Sequence, residues 1–185
     1  MSKSVAHEMM GDIINGTLYG HQCPPQEGTF VLVHGKKERR DAVINYIIKN
    51  MKRNVSINPE PEDFFIAYRS DKTPRAFVYY DVPDFLQPVN EGTWPATGKY
   101  VVLQIKDVLR DLERLNVSFI IGIDDYTKID LRIRSKAQYK IYLTGTEQLP
   151  PLSLVPRSGL NKVGENTGII ESYDWGVFKF DKDIR

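Results

Sequence analysis

Along this chain, apolar residues alternate between helical spacing and short, nearly continuous runs. Val5, Met9, Met10, Ile13, Ile14 and Leu18 recur every three or four positions and predict an amphipathic helix over 4–18 that ends near Gly16 or Gly20. Its apolar stripe needs a partner, either this domain or another subunit. Gly20 to Gly28, with Pro24-Pro25, reads as a linker. Thr29 to His34 is a buried strand, followed by Gly35, the charged stretch Lys36 to Asp41, and a helix whose stripe is Val43, Tyr46, Ile47 and Met51. Lys49, Lys52 and Arg53 fall in its last turn, where cations complement the helix dipole.

Two aromatic-rich runs, Phe64 to Tyr68 and Ala76 to Tyr80, read as strands that a hairpin would join. Pro83 to Gly98 reads as a long loop, and Val101, Ile105, Val108, Leu109, Leu112 and Leu115 mark a helix from about Lys99 to Leu115. Val117 to Ile123 is almost unbroken in its apolar character, as expected of a strand buried on both faces of a parallel sheet, and Asp124-Asp125 end it. A polar helical segment over 126–138 leads to a strand at Tyr139 to Thr144 and then Gly145. Pro150, Pro151 and Pro156 interrupt regular structure, and Thr167 to Phe180 predicts a terminal β-hairpin turning near Asp174 to Gly176.

This alternation predicts an α/β fold with a mostly parallel, doubly wound sheet, an N-terminal helix and a C-terminal β-hairpin. Three parts are expected: helix and linker over 1–28, an α/β core over 29–157, and the hairpin tail over 158–185. Ligands of such sheets sit beyond the carboxyl ends of the strands, which gathers Gly35 to Arg40, Asp81, Asp124-Asp125 and Thr144 at one end.

Composition narrows the partners more than the chemistry. At 185 residues, 41% hydrophobic and 26% charged, the chain has the make-up of a globular domain. A net charge of +1 gives no global attraction to nucleic acid, so any anionic partner must be held by a local patch. The single Cys23 excludes an intramolecular disulfide, and no apolar run is long enough for a signal or membrane segment. The expectation is a soluble protein of the cytoplasm, or of the host cell interior if it is viral, without membrane contact.

Strand, Gly35, basic loop and helix share the layout of a phosphate-binding loop. A loop of the G-x-x-x-x-G-K-[ST] type uses its second Gly for close backbone approach, its Lys to bridge phosphates and its hydroxyl to hold Mg²⁺. Counted from Gly35, those positions hold Arg40, Asp41 and Ala42. Phe119-Ile-Ile-Gly-Ile-Asp-Asp125 resembles the second motif of P-loop NTPases, and the order of motifs resembles viral and phage DNA-packaging ATPases over roughly 29–157. The resemblance implies that Asp124 orients Mg²⁺ and Asp125 polarises the attacking water. It also implies that Thr144 senses the γ-phosphate, with Gln148 and Arg157 as later polar residues. ATP and Mg²⁺ are the cofactors it implies. With the Lys and hydroxyl absent, any charge clamp falls to Lys36, Lys37, Arg39 or Arg40, beside Gly35.

Other readings of the same residues stay open. The Lys/Arg run is equally a solvated turn, and Asp124-Asp125 equally a helix cap. Asp81 and Asp84 read as turn formers around Pro83. His7, His21 and His34 share no metal-ligand spacing. Lys128, Arg132 and Lys136 would share one helical face and, with Tyr126, Tyr139 and Tyr142 nearby, offer a nucleic-acid contact. The functions that follow are an accessory or assembly factor in nucleic-acid replication or packaging with a degenerate nucleotide site, a structural subunit of a virion, homo-oligomer or other complex, or a metal-dependent nuclease. The nuclease reading rests on Pro83-Asp84 and Asp125-Tyr-Thr-Lys128, where the Lys stands one residue too far along for a PD-(D/E)-x-K motif.

Overall fold

The computed structural model describes residues 4–18, 26–63, 66, 73–88 and 116–180. In chain order they form α1 (Val5–Asn15), the short antiparallel pair β1 (Thr17–Leu18) and β2 (Gln26–Glu27), β3 (Phe30–His34), α2 (Lys37–Asn50), β4 (Asn54–Ile57), β5 (Arg75–Tyr79), β6 (Val117–Ile123), α3 (Leu131–Arg134), β7 (Tyr139–Tyr142), β8 (Thr167–Glu171) and β9 (Trp175–Lys179). Single 3₁₀ turns lie at Asp84–Leu86, Tyr126–Lys128 and Arg157–Lys162.

The main sheet has the order β4-β5-β6-β3-β7-β8-β9. Its first five strands are mutually parallel, and the C-terminal hairpin β8-β9 adds antiparallel to β7. β3 therefore has a parallel neighbour on each side. Val31 and Val33 enter one core with Val43, Ile44 and Ile47 of α2, while Phe30 and Leu32 enter the other with Phe77, Phe119 and Ile121. That period of two with apolar residues on both faces is why the strand reads as an unbroken hydrophobic run.

The partner of α1 is this domain. Ala6, Met9, Met10 and Ile13 are buried, and the helix packs on β8, β9 and α2. Ser4 caps its start, and Gly16 in the left-handed conformation (φ 66°) ends it. The Tyr139 hydroxyl donates to Asp12 at 3.0 Å and ties the helix to β7.

Three expectations change. Asn54–Ile57 is a strand that the sequence does not announce, because among the described residues it pairs only with β5 and three of its four residues, Asn54, Ser56 and Ile57, are exposed. β5 is parallel to both its neighbours, so it does not belong to a hairpin with 64–68. Pro61 to Asp63 and Ile66 are helical, whereas the rest of that run lies outside the described residues. The polar segment 126–138 is not one helix: buried Ile129 and the N-cap Asp130 divide it into a 3₁₀ turn and the single turn α3. The linker beyond Leu18, Trp94 with its loop, and the helix of 99–115 also lie outside the described residues.

Candidate functional site

The carboxyl end of β3 meets α2 through only two residues, Gly35 and Lys36. Gly35 has φ 148°, and a Cβ there would stand 2.7 Å from the Leu143 Cβ and 3.0 Å from the Thr144 carbonyl oxygen. Its amide donates to the Ile123 carbonyl at 3.2 Å, and the Lys36 amide donates to the Thr144 carbonyl at 2.8 Å. The turn is thus stitched to the ends of both flanking strands, β6 and β7. Arg40, at the position of a phosphate loop's second glycine, is already helical, and its amide donates to the Lys36 carbonyl. Asp41 and Ala42 follow inside the same helix. A nucleotide cradle needs free amides on an open loop. The two amides of this turn are spent and the space above Gly35 is filled, so neither amide is free to hold a phosphate.

The charges beside the turn meet one another. Lys37 Nζ donates to Asp81 Oδ2 at 2.9 Å and lies 3.2 Å from Asp41. Arg40, only 4% exposed, donates through Nη1 to the Gly35 carbonyl at 3.0 Å and through Nη2 to Asp81 Oδ1. The hydrogen bond from Lys37 holds the Asp81 carboxyl below its ordinary pKa, and the same bond raises that of Lys37. Asp81 follows Phe77-Val-Tyr-Tyr, so it too is an acid behind four apolar residues. The sequence places it at this end of the sheet beside Gly35 to Arg40, but reads it as a turn former and not as the partner of Lys37 and Arg40. That repeated signature was the available clue.

Asp124 and Asp125 are engaged locally. Asp124 pairs with Lys128 at 2.6 Å, and this bond lowers its pKa. Asp125 accepts from the Thr127 amide and hydroxyl, both at 2.8 Å, and the amide lowers its pKa most. Both lie with His34, Tyr126, Glu147 and Gln148 around a cavity of about 110 Å³. His34 is buried, its ring 5.0 Å from that of Tyr142, and burial pushes its pKa down to about 3. The Thr144 hydroxyl donates to the Gly164 carbonyl at 3.1 Å, while its own carbonyl serves Lys36. Arg39 is half-buried in the first turn of α2, and Gln148 and Arg157 are exposed. Among the described residues, no three His, Cys, Asp or Glu side chains stand together so as to hold a metal ion.

The basic segment is also partly neutralised. Arg132 forks over Asp130 at 2.9 and 2.8 Å, and Lys128 is on Asp124. Arg134 donates to the Tyr126 carbonyl at 2.8 Å and lies over that ring at 4.8 Å. The break at Ile129–Asp130 means that Lys128, Arg132 and Lys136 do not share one continuous helix face.

This sheet, with its basic helix start and acidic strand ends, has the P-loop NTPase-like α/β fold. It is similar to the genome packaging NTPase B204 from Sulfolobus turreted icosahedral virus 2 in its sulfate complex, with TM-score 0.55 and 10% identity over 84% of this chain and 98% of that one. The N-terminal domain of zonular occludens toxin from Neisseria meningitidis is similar with TM-score 0.51 and 8% identity, covering 85% and 97% of the two chains. The cytoplasmic domain of EssC gives TM-score 0.51 and 9% identity, covering 83% of this chain and 38% of that one. No protein-family model and no curated protein matches the sequence. Among the described residues no helix is long and apolar enough to cross a membrane.

Proposed function

We propose that this chain is a P-loop-fold protein with a closed nucleotide site, acting as an accessory or assembly factor in packaging or replicating nucleic acid. The single observation that carries the closed site is the bond from the Lys36 amide to the Thr144 carbonyl, across a turn with no spare residue. Hydrolysis would need a charge clamp and a metal ligand, and the helix offers Asp41 and Ala42 at those positions. The packaging context is supported by the likeness to B204, and with Lys128 and Arg132 paired to Asp124 and Asp130 the nucleic-acid contact proposed for Lys128, Arg132 and Lys136 is centred on Lys136.

Two measurements test this reading. Mg-ATP and Mg-ADP are expected to leave the melting temperature unchanged and to give no heat on calorimetric titration. Fluorescence anisotropy with duplex DNA is expected to show salt-sensitive binding that weakens on Lys136→Glu. Turnover of ATP with or without DNA would sink the closed-site reading. Binding of DNA that ignores Lys136→Glu would sink the assigned patch.

A further inference from the structure

Beyond β7 the chain makes a braced projection. Glu171, 4% exposed, accepts from the Tyr142 hydroxyl at 2.6 Å, the Ser153 hydroxyl at 2.9 Å and the Leu154 amide at 2.6 Å. Val155 is buried below with Tyr142 and Ile169. From this base Leu152 stands 99% exposed, with Leu154 beside it at 52%. Leu152 also has φ 66°. For a bulky L-residue that conformation is strained, and none of the described residues offsets it by burying the side chain. A hydrophobic tip set in water in a strained conformation, beside residues tied to Glu171, marks a contact surface.

The hollow that such a tip would fill lies next to it. A cavity of about 760 Å³ is lined by Tyr126, Pro150, Val155 and Leu152 itself, together with Glu147 and Arg157. Both charged residues are exposed, and among the described residues neither forms an ion pair. Projection and hollow on one patch meet the condition for an isologous twofold contact, in which residue i of each copy meets residue j of the other. Opposite charges at the same hollow satisfy that condition a second time.

We infer that the 147–157 segment is a docking surface for a second copy of this chain. Leu152 of each protomer seats in the hollow of the other, and Glu147 of each faces Arg157 of the other. This contact is independent of the nucleotide reading, since no residue of the β3–α2 turn takes part.

Sedimentation equilibrium of the full chain across the micromolar range tests it. The wild type is expected to be a dimer, and Leu152→Asp a monomer that keeps the wild type's circular dichroism spectrum, because the side chain has no contacts to lose on folding. Glu147→Arg and Arg157→Glu are each expected to weaken dimerisation about tenfold or more, and the double reversal to restore it. A wild type that stays monomeric, a dimer indifferent to Leu152→Asp, a double reversal without rescue, or an assembly larger than a dimer overturns the inference.

Discussion

The Lys36 amide reaches the Thr144 carbonyl at 2.8 Å, which makes the turn after β3 a continuation of the sheet's hydrogen bonding instead of an open loop. Parallel strands can be knit in this way only if the chain leaves β3 tightly, and Gly35 with φ 148° allows that departure. The consequence is electrostatic. With the loop closed, α2 begins at Lys37, and its first turn sets Lys37 and Arg40 against Asp81. The carboxylate that meets the cations at this helix start belongs to the chain itself.

Gly35→Ala tests that closure. The new methyl would meet the Leu143 Cβ at a distance that real Cβ atoms do not keep and would crowd the Thr144 carbonyl, in a backbone region that alanine disfavours. A loss of roughly 2–4 kcal/mol in urea unfolding is expected. A variant as stable as the wild type would mean that the turn is not packed in this way.

Asp81→Ala removes the internal anion. Arg40 is buried and would lose its carboxylate partner, but Asp81 is well exposed. The expected cost is therefore about 1–2 kcal/mol, less than for a fully buried pair. The Asp81 pKa is lowered on folding, so its contribution is present above the unfolded carboxylate pKa and fades as pH falls through the folded value. In the variant, pyrophosphate should raise the melting temperature by more than in the wild type. Equal shifts in both would show that Asp81 does not occupy the anion's place.

How far the sequence foretold this arrangement depends on where each signal resides. β3 and β6 are buried on both faces, so apolar residues follow one another and the strands were readable, and in β7 only the half-buried Lys140 interrupts the run. β4 was not, because Asn54, Ser56 and Ile57 face solvent and leave no alternation to detect. The spacing of Lys128, Arg132 and Lys136 suited a helix, but it carried no record of Ile129 entering the core or of Asp130 capping a new turn. Asp81 was placed at this end of the sheet, but its ion pairs were not legible, for a different reason. Its partners Lys37 and Arg40 lie 44 and 41 residues away in the chain, and only the strand order brings them together.

His34 gives stability a distinct pH dependence. Burial, with Lys140 and Arg40 nearby, holds its folded pKa at about 3 against an ordinary 6.5, although Asp125 pulls the other way. Above pH 6.5 both states are neutral and the residue contributes no slope. Between 6.5 and about 3 the unfolded chain binds a proton that the folded chain refuses, so stability falls as pH drops, by about 1.4 kcal/mol per pH unit once below 6.5. Urea midpoints measured from pH 8 to the onset of carboxylate titration should show this slope, and His34→Phe should flatten it. A slope that persists in His34→Phe would assign it to another group.

Glu171 is the residue on which the segment after β7 depends. Its carboxylate serves a hydroxyl on β7, a hydroxyl on the segment and the Leu154 amide, while it is itself nearly inaccessible. Glu171→Ala leaves the Tyr142 hydroxyl and the Leu154 amide without acceptors in a site too buried for easy solvation, which costs about 1–3 kcal/mol for each group left unsatisfied. Glu171→Gln retains one carbonyl oxygen and should lose less. The segment should loosen before the sheet does, so amide exchange at Leu154 is expected to quicken in Glu171→Ala while exchange at Ile121 in β6 stays slow. Equal protection of Leu154 in wild type and variant would show that the segment is held by its apolar contacts with Val155 and Leu160, and that Glu171 is dispensable to it.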